Sequence, residues 1–227
     1  MGRMKILYCS YRNWAKDILM YTEFFISDTY TDLDVELVRV QSTKELLSID
    51  LSKFDMLFFI GWSEIVPDHI INEKICICLH PSPLPKYRGG SPIQNQIING
   101  DYDSAITFFV MDSGLDTGDI IYQIPLDLSG ELSEIFSKIV NLSYPVIAKI
   151  IFEFNANKDI PRTPQNHELA TLCKRRTKMM SEIQIQDFSN YTATQLYDKI
   201  RSLQYPYPNA FVRCKDDTIL FLIGARI

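Results

Sequence analysis

Apolar positions fall into short continuous runs separated by longer stretches of helical spacing. The runs at 4–9, 55–61 and 75–79 are almost unbroken (Met4-Lys5-Ile6-Leu7-Tyr8-Cys9, for example), as expected of parallel strands covered on both faces. Residues 35–40 alternate and read as a further strand. Between the runs, 14–26 and 43–47 carry helical patterns, with Asn13 a cap for the first. Residues 62–71 read as a loop with a short helix, and 92–99 as a helix that Gly100 ends. Runs at 104–110 and 118–124 flank an acidic loop. The longest helical pattern covers 132–155, with Pro145 an expected kink or break. Strand and helix alternate to this point, so the class is α/β, Rossmann-like, a mainly parallel sheet with helices on both faces.

The polar, Pro-containing stretch 158–165 reads as a linker. Beyond it, 194–203 suits a helix, and 210–214 with 218–223 alternates around Lys215-Asp216-Asp217 as a β-hairpin. The expected organisation is a main domain at 1–157 and a small helix-and-hairpin extension at 158–227. A terminal hairpin has little surface of its own to bury, so it must pack on the main domain or on a second copy.

Two loops carry the candidate chemistry. The first is His80-Pro81-Ser82-Pro83-Leu84-Pro85, followed by Lys86-Tyr87-Arg88-Gly89-Gly90. A histidine ends a buried run there, at the carboxyl end of a strand, where open α/β sheets place their sites. The second is Asp112-Ser113-Gly114-Leu115-Asp116-Thr117-Gly118. An imidazole can act as acid or base near neutral pH, and a carboxylate can orient it, so His80 and Asp116 read as partners across one cleft. The same residues also suit a histidine capping a core strand and an acidic surface turn.

Composition narrows the partners. The chain has 227 residues, 46% of them hydrophobic, 22% charged, and a net charge of −5. That balance argues against a nucleic-acid surface and against disorder. No stretch looks like a signal peptide, and no window reaches the roughly 20 apolar residues of a membrane span. The five cysteines, an odd number, read as reduced thiols of a cytoplasmic protein, and no spacing suggests a metal site.

The His-Pro-Ser-Pro-Leu-Pro segment, Tyr87-Arg88-Gly89-Gly90, Pro92-Ile93 and the 112–118 loop together resemble the formyltransferases that use 10-formyltetrahydrofolate. The resemblance is dense over 50–125. It assigns His80 and Asp116 as catalytic and 10-formyltetrahydrofolate as co-substrate. Family members carry Asn-x-His-x-Ser, and Cys78 stands where their asparagine would steady the developing oxyanion. A thiol is a weak donor, and one lost oxyanion donor costs about 10²–10³ in rate. Phe59, Trp62 and Ile65, with Asp112 and Gly114, occupy the segments that would hold the pterin, although Trp62 suits plain core equally well.

The tail Tyr205-Pro206-Tyr207-Pro208-Asn209-Ala210-Phe211, like Lys174-Arg175-Arg176-Thr177, resembles sugar N-formyltransferases. The chain has neither the length nor the charge expected of the tRNA enzymes of that family. The resemblance therefore implies a nucleotide-linked 4-amino-4,6-dideoxy sugar as acceptor, such as a dTDP-sugar for surface polysaccharide. It also implies Arg12, Lys86 and Arg88 as contacts to its diphosphate, and a homodimer through the hairpin. A glycinamide ribonucleotide-type enzyme, or a catalytically weak folate- or nucleotide-sugar-binding relative, stays open beside it.

Overall fold

The fold was obtained as a computed structural model and describes residues 3–227. Strand β1 (Met4–Cys9) leads into helix α1 (Asn13–Thr29), then β2 (Val35–Val40), α2 (Thr43–Ser48), β3 (Met56–Ile60), α3 (Asp68–Glu73) and β4 (Ile75–His80). These four strands run parallel in the order β2-β1-β3-β4. A two-residue strand, β5 (Arg88–Gly89), and helix α4 (Pro92–Asn99) follow. Then come β6 (Asp103–Val110), β7 (Ile120–Asp127) and the long helix α5 (Leu132–Asn157). The remainder comprises β8 (Leu172–Cys173), α6 (Asp187–Asn190), α7 (Ala193–Arg201) and the hairpin β9 (Ala210–Arg213) with β10 (Ile219–Leu222).

The continuous apolar strands do what their pattern requires. Every residue of β3 is buried, because side chains alternate between two cores. Phe58 and Ile60 join the larger core, under α1, α4 and α5. Leu57 and Phe59 join the smaller one, with Leu46 of α2 and Ile70 of α3. On β4 the same alternation sends Ile77 and Leu79 to the larger core and Cys76 and Cys78 toward the smaller. His80 ends that second file.

Four differences from the sequence reading stand out. First, β6 and β7 pair antiparallel with β4 and with each other, so the parallel sheet ends in an antiparallel edge. The loop at 111–119 returns the chain directly beside itself, which parallel pairing would not allow. Second, α5 continues through Pro145 without a break. Ile135, Ile139, Ile147, Ile151 and Phe154 are buried on both sides of it, and that packing outweighs the roughly 3 kcal/mol helix penalty of proline. Third, α5 is long and apolar enough to cross a membrane by length and composition, contrary to the expectation that no window would be. Half of that window is buried in the protein, where α5 covers the sheet. Fourth, 158–165 is not a loose connection. Ile160 is buried in the larger core, and Thr163 exchanges two backbone hydrogen bonds of 2.8 Å with Ile120 on β7.

Arg201 of α7, in a buried ion pair with Asp198 of the same helix, fastens the tail to the chain that follows β7. Arg201 Nε donates to Asp198 Oδ1 at 2.7 Å, and Arg201 Nη1 donates to the carbonyls of Leu128 and Gly130 at 2.8 and 2.7 Å. The inner strand of the hairpin buries Ala210 and Phe211, while Leu220, Phe221 and Ile223 on the outer side stay exposed.

Candidate active site

A cleft of about 870 Å³ opens at the carboxyl ends of β1, β3 and β4. It is lined by His80 and Cys78 on one side and Phe59, Trp62 and Ile65 on another, with the 112–116 loop across from them. His80 is buried and its ring is held at both nitrogens. Nε2 lies 2.8 Å from the Tyr87 carbonyl oxygen, and Nδ1 lies 3.5 Å from Asp116 Oδ2. A carbonyl can only accept, so Nε2 carries a hydrogen in either charge state. Nδ1 is therefore the position at which the ring gains or loses its proton, and it faces the carboxylate.

The loop after His80 is fixed from several sides. Ser82 is fully buried, and its hydroxyl donates to the Lys86 carbonyl at 2.8 Å. Thr107 on β6 donates to the Ser82 carbonyl at 2.6 Å, and Gln96 on α4 donates to that of Pro81 at 3.0 Å. The polyproline character of the segment leaves few donors of its own, so neighbouring side chains satisfy its carbonyls.

Asp116 adopts a left-handed backbone, φ +53°, which aspartate tolerates better than most residues. Its Oδ2 accepts the Gly89 amide at 2.8 Å. Gly118 permits the loop to close, since a Cβ there would sit 1.7 Å from the Val110 carbonyl oxygen. Asp112 serves the turn itself, accepting from the Gly114 amide at 3.0 Å and the Thr117 hydroxyl at 2.6 Å.

Cys78 faces the cleft, its thiol 3.7 Å from the Leu79 carbonyl oxygen. Burial first, then the charge of Asp116 and the neighbouring Cys76, push its pKa well above the ordinary thiol range. The group is a protonated thiol and a poor nucleophile. Burial pushes Cys76 up to about 12 as well.

The apolar wall suits an aromatic ring system. Trp62 lies edge-on to Phe59 with centroids 6.0 Å apart and tilted against Tyr11 at 5.8 Å. Its buried indole Nε1 has no hydrogen-bond partner. Ile65 projects from the same wall almost fully exposed. Among the described residues, no group of three or more His, Cys, Asp or Glu could hold a metal.

The three expected diphosphate contacts separate. Arg12 is at the cleft, its guanidinium 5.0 Å from the Tyr11 ring and 5.9 Å from that of Tyr207. Lys86 is exposed and outside the cleft lining. Arg88 is buried and turned away, with Nε and Nη2 donating to Gln165 Oε1 at 3.2 and 2.6 Å and Nη2 donating to His167 Nδ1 at 3.1 Å. A run of alternating charge and glycine looks like a phosphate contact in sequence, but β5 points this side chain into the protein.

Other cations take the cleft instead. β8 lies beside β5 and carries Lys174, Arg175 and Arg176 onto the cleft wall. Arg175 Nη2 donates to the Ser63 carbonyl at 2.8 Å on the opposite lip. Arg176 keeps a buried Nε without a partner, and burial lowers its pKa. Glu64, Asp68 and Asp112 share the lining, so the charge there is mixed.

Residues 35–134 match the family described as Formyl transferase. A methionyl-tRNA formyltransferase of Rickettsia bellii is 34% identical over 172 residues, 74% of this chain and 54% of that protein. The chain spans a little over half the length of that relative. Among solved structures, a methionyl-tRNA formyltransferase from Clostridium thermocellum is similar at a TM-score of 0.73 and 26% identity, over 96% of this chain and 97% of that one. A 4-N formyltransferase from Francisella tularensis is similar in fold at a TM-score of 0.75 and 24% identity, over 99% of each chain.

Proposed function

From the likeness of residues 35–134 to the Formyl transferase family, we infer that this chain is a folate-dependent N-formyltransferase, with His80 and Asp116 at the reacting centre. The single observation that carries the reading is the His80–Asp116 pair, with His80 buried at the carboxyl end of β4 and Asp116 on the facing loop, beside a cleft large enough for a folate.

The chemistry follows from the ring's two attachments. The acceptor amine, as free base, attacks the formyl carbon and a C–N bond forms. The carbonyl electrons move onto oxygen, which a neighbouring backbone or water donor stabilises. The amine proton passes to Nδ1 of His80, with Asp116 holding the imidazolium. Nδ1 then returns it to the folate nitrogen as the carbon–nitrogen bond to the donor breaks. The apolar wall of Phe59, Trp62 and Ile65 takes the pterin, and Asp112 and Gly114 shape its far side.

The acceptor is a nucleotide-linked amino sugar, for instance a dTDP-4-amino-4,6-dideoxy sugar. Tyr207 of the Tyr-Pro-Tyr-Pro tail reaches the cleft next to Arg12, which supports a tail that reads the acceptor. The similarity to the Francisella 4-N formyltransferase runs over nearly the whole of both chains. Arg12, Arg175 and Arg176 are the cations available to a diphosphate, and the expected roles of Lys86 and Arg88 there lose support. Strand β10 is an exposed edge that leaves Leu220 and Phe221 open, and such an edge suits a second copy of the chain, hence a homodimer. Five unpaired thiols among the described residues agree with a reducing, cytoplasmic setting.

A methionyl-tRNA acceptor is the second reading, favoured by curated relatives near one-third identity. The test offers 10-formyltetrahydrofolate with either a dTDP-4-amino-4,6-dideoxy sugar or methionyl-tRNA and follows the product by mass. Formylated sugar is expected. Formylated tRNA alone overturns the sugar acceptor, and no product with either overturns both acceptors.

A further inference from the structure

Gln165 was invisible as a functional residue in the sequence, yet it joins three segments that are distant along the chain. It is 5% exposed. Its Oε1 accepts both Nε and Nη2 of Arg88, and its Nε2 donates to the Asp116 carbonyl at 3.0 Å and the Gly118 carbonyl at 2.7 Å. Arginine has donors and no acceptor, so Arg88 dictates which end of the amide is oxygen. The two amide hydrogens are then directed at the loop that carries Asp116. That loop holds a left-handed aspartate, a conformation that persists only where its surroundings enforce it.

We propose that Gln165 is a positioning residue for Asp116: with Arg88 it forms a buried clamp that sets where the carboxylate stands against His80. The clamp closes from both sides. Arg88 and Gly89 are adjacent on β5, and the Gly89 amide donates to the Asp116 carboxylate at 2.8 Å. The main chain of Asp116 is therefore held through Gln165 and its side chain through Gly89, both referred to the same strand. Arg88 acts inside the protein as the anchor of this arrangement.

The kinetic part of the claim rests on the formyl-transfer reading, so the test has two readouts. Gln165→Glu keeps an acceptor for Arg88, now as an ion pair, and removes both donors to the loop. Fold is checked by thermal unfolding. Hydrogen exchange at the Gly89 amide reports the Asp116 contact without any turnover. The expected result is a folded variant whose Gly89 amide exchanges at least about 10-fold faster and whose kcat falls at least about 10-fold, with the acceptor KM within about 3-fold. A purely structural role would lower the unfolding temperature and leave kcat per folded molecule and Gly89 exchange unchanged, and that result overturns the proposal. If wild-type protein shows no formyl transfer, the functional reading fails while Gly89 exchange still decides the clamp. Gln165→Asn, which keeps both chemistries on a shorter stem, gives the same two readouts should the Glu variant fail to fold.

Discussion

Nδ1 of His80 lies 3.5 Å from Oδ2 of Asp116 while the opposite nitrogen of the same ring is tied to the Tyr87 carbonyl at 2.8 Å. The ring cannot rotate to expose Nε2 without losing that bond. His80→Ala removes the only imidazole in the cleft lining, and Asp116→Asn presents an amide donor to Nδ1 and so occupies its lone pair. Both variants should remain folded and lose at least about 10² in kcat. Steady-state formyl transfer checks this, and near-normal rates in both would remove the pair from the mechanism.

Cys78 stands in the cleft as a half-buried, protonated thiol, at the position where the family resemblance leads one to expect an asparagine. An asparagine amide aimed at the same space donates to an oxyanion far better than S–H does. Cys78→Asn should therefore raise kcat by about 10-fold or more, within the 10²–10³ that one such donor commands. An unchanged or lower rate would mean that a backbone amide or water already fills the role. No turnover in either form would instead favour a folate- or nucleotide-sugar-binding protein.

The strands, the helices and the placing of His80 at a strand end were legible because burial on both faces leaves a local signature. β3 reads as five apolar residues, and all five are buried. What was illegible depends on meetings between distant segments. Nothing local to Gln165 says that Arg88 and Asp116 converge on it. Nothing local to Arg88 distinguishes a cleft cation from a buried anchor, since the side chain's direction is set by the pairing of β5 with β8. The short strand β8 and the cleft-lining Lys174, Arg175 and Arg176 were missed as site residues for the same reason. Strand direction was also hidden, because no residue of β6 or β7 by itself says which way a strand runs against its neighbour.

Arg201 and Asp198 form a buried ion pair within α7, with side chains 3% and 5% exposed, and the same guanidinium fastens the helix to the chain just after β7. Removing the guanidinium leaves the Asp198 carboxylate buried with the Tyr102 hydroxyl as its remaining partner, and two carbonyls, of Leu128 and Gly130, without their donor. Arg201→Ala should destabilise the fold by about 3–5 kcal/mol, the usual cost of breaking such a pair from one side. Urea unfolding measures it. A loss below about 1 kcal/mol would mean that the tail contributes little to the stability of the sheet.

Asp127 offers a pH test away from the cleft. Lys138 Nζ donates to its Oδ2 at 2.7 Å, and the Ser129 hydroxyl and amide add to it, lowering the Asp127 pKa to about 2 from 3.8. A folded-state value below the unfolded one means that ionised Asp127 favours the fold. Its contribution is complete above about 3.8 and is lost as pH falls through about 2. Both side chains are more than a third exposed, so solvent screening reduces the worth of the pair to about 0.5–1 kcal/mol. Asp127→Asn should therefore be slightly less stable than wild type at pH 6, and the gap should close between pH 4 and pH 2. It should also shrink in 1 M salt, where the screening length is only about 3 Å. Chemical unfolding of both proteins across that range checks the sign, and a gap that widened toward low pH would show that the carboxylate opposes the fold instead.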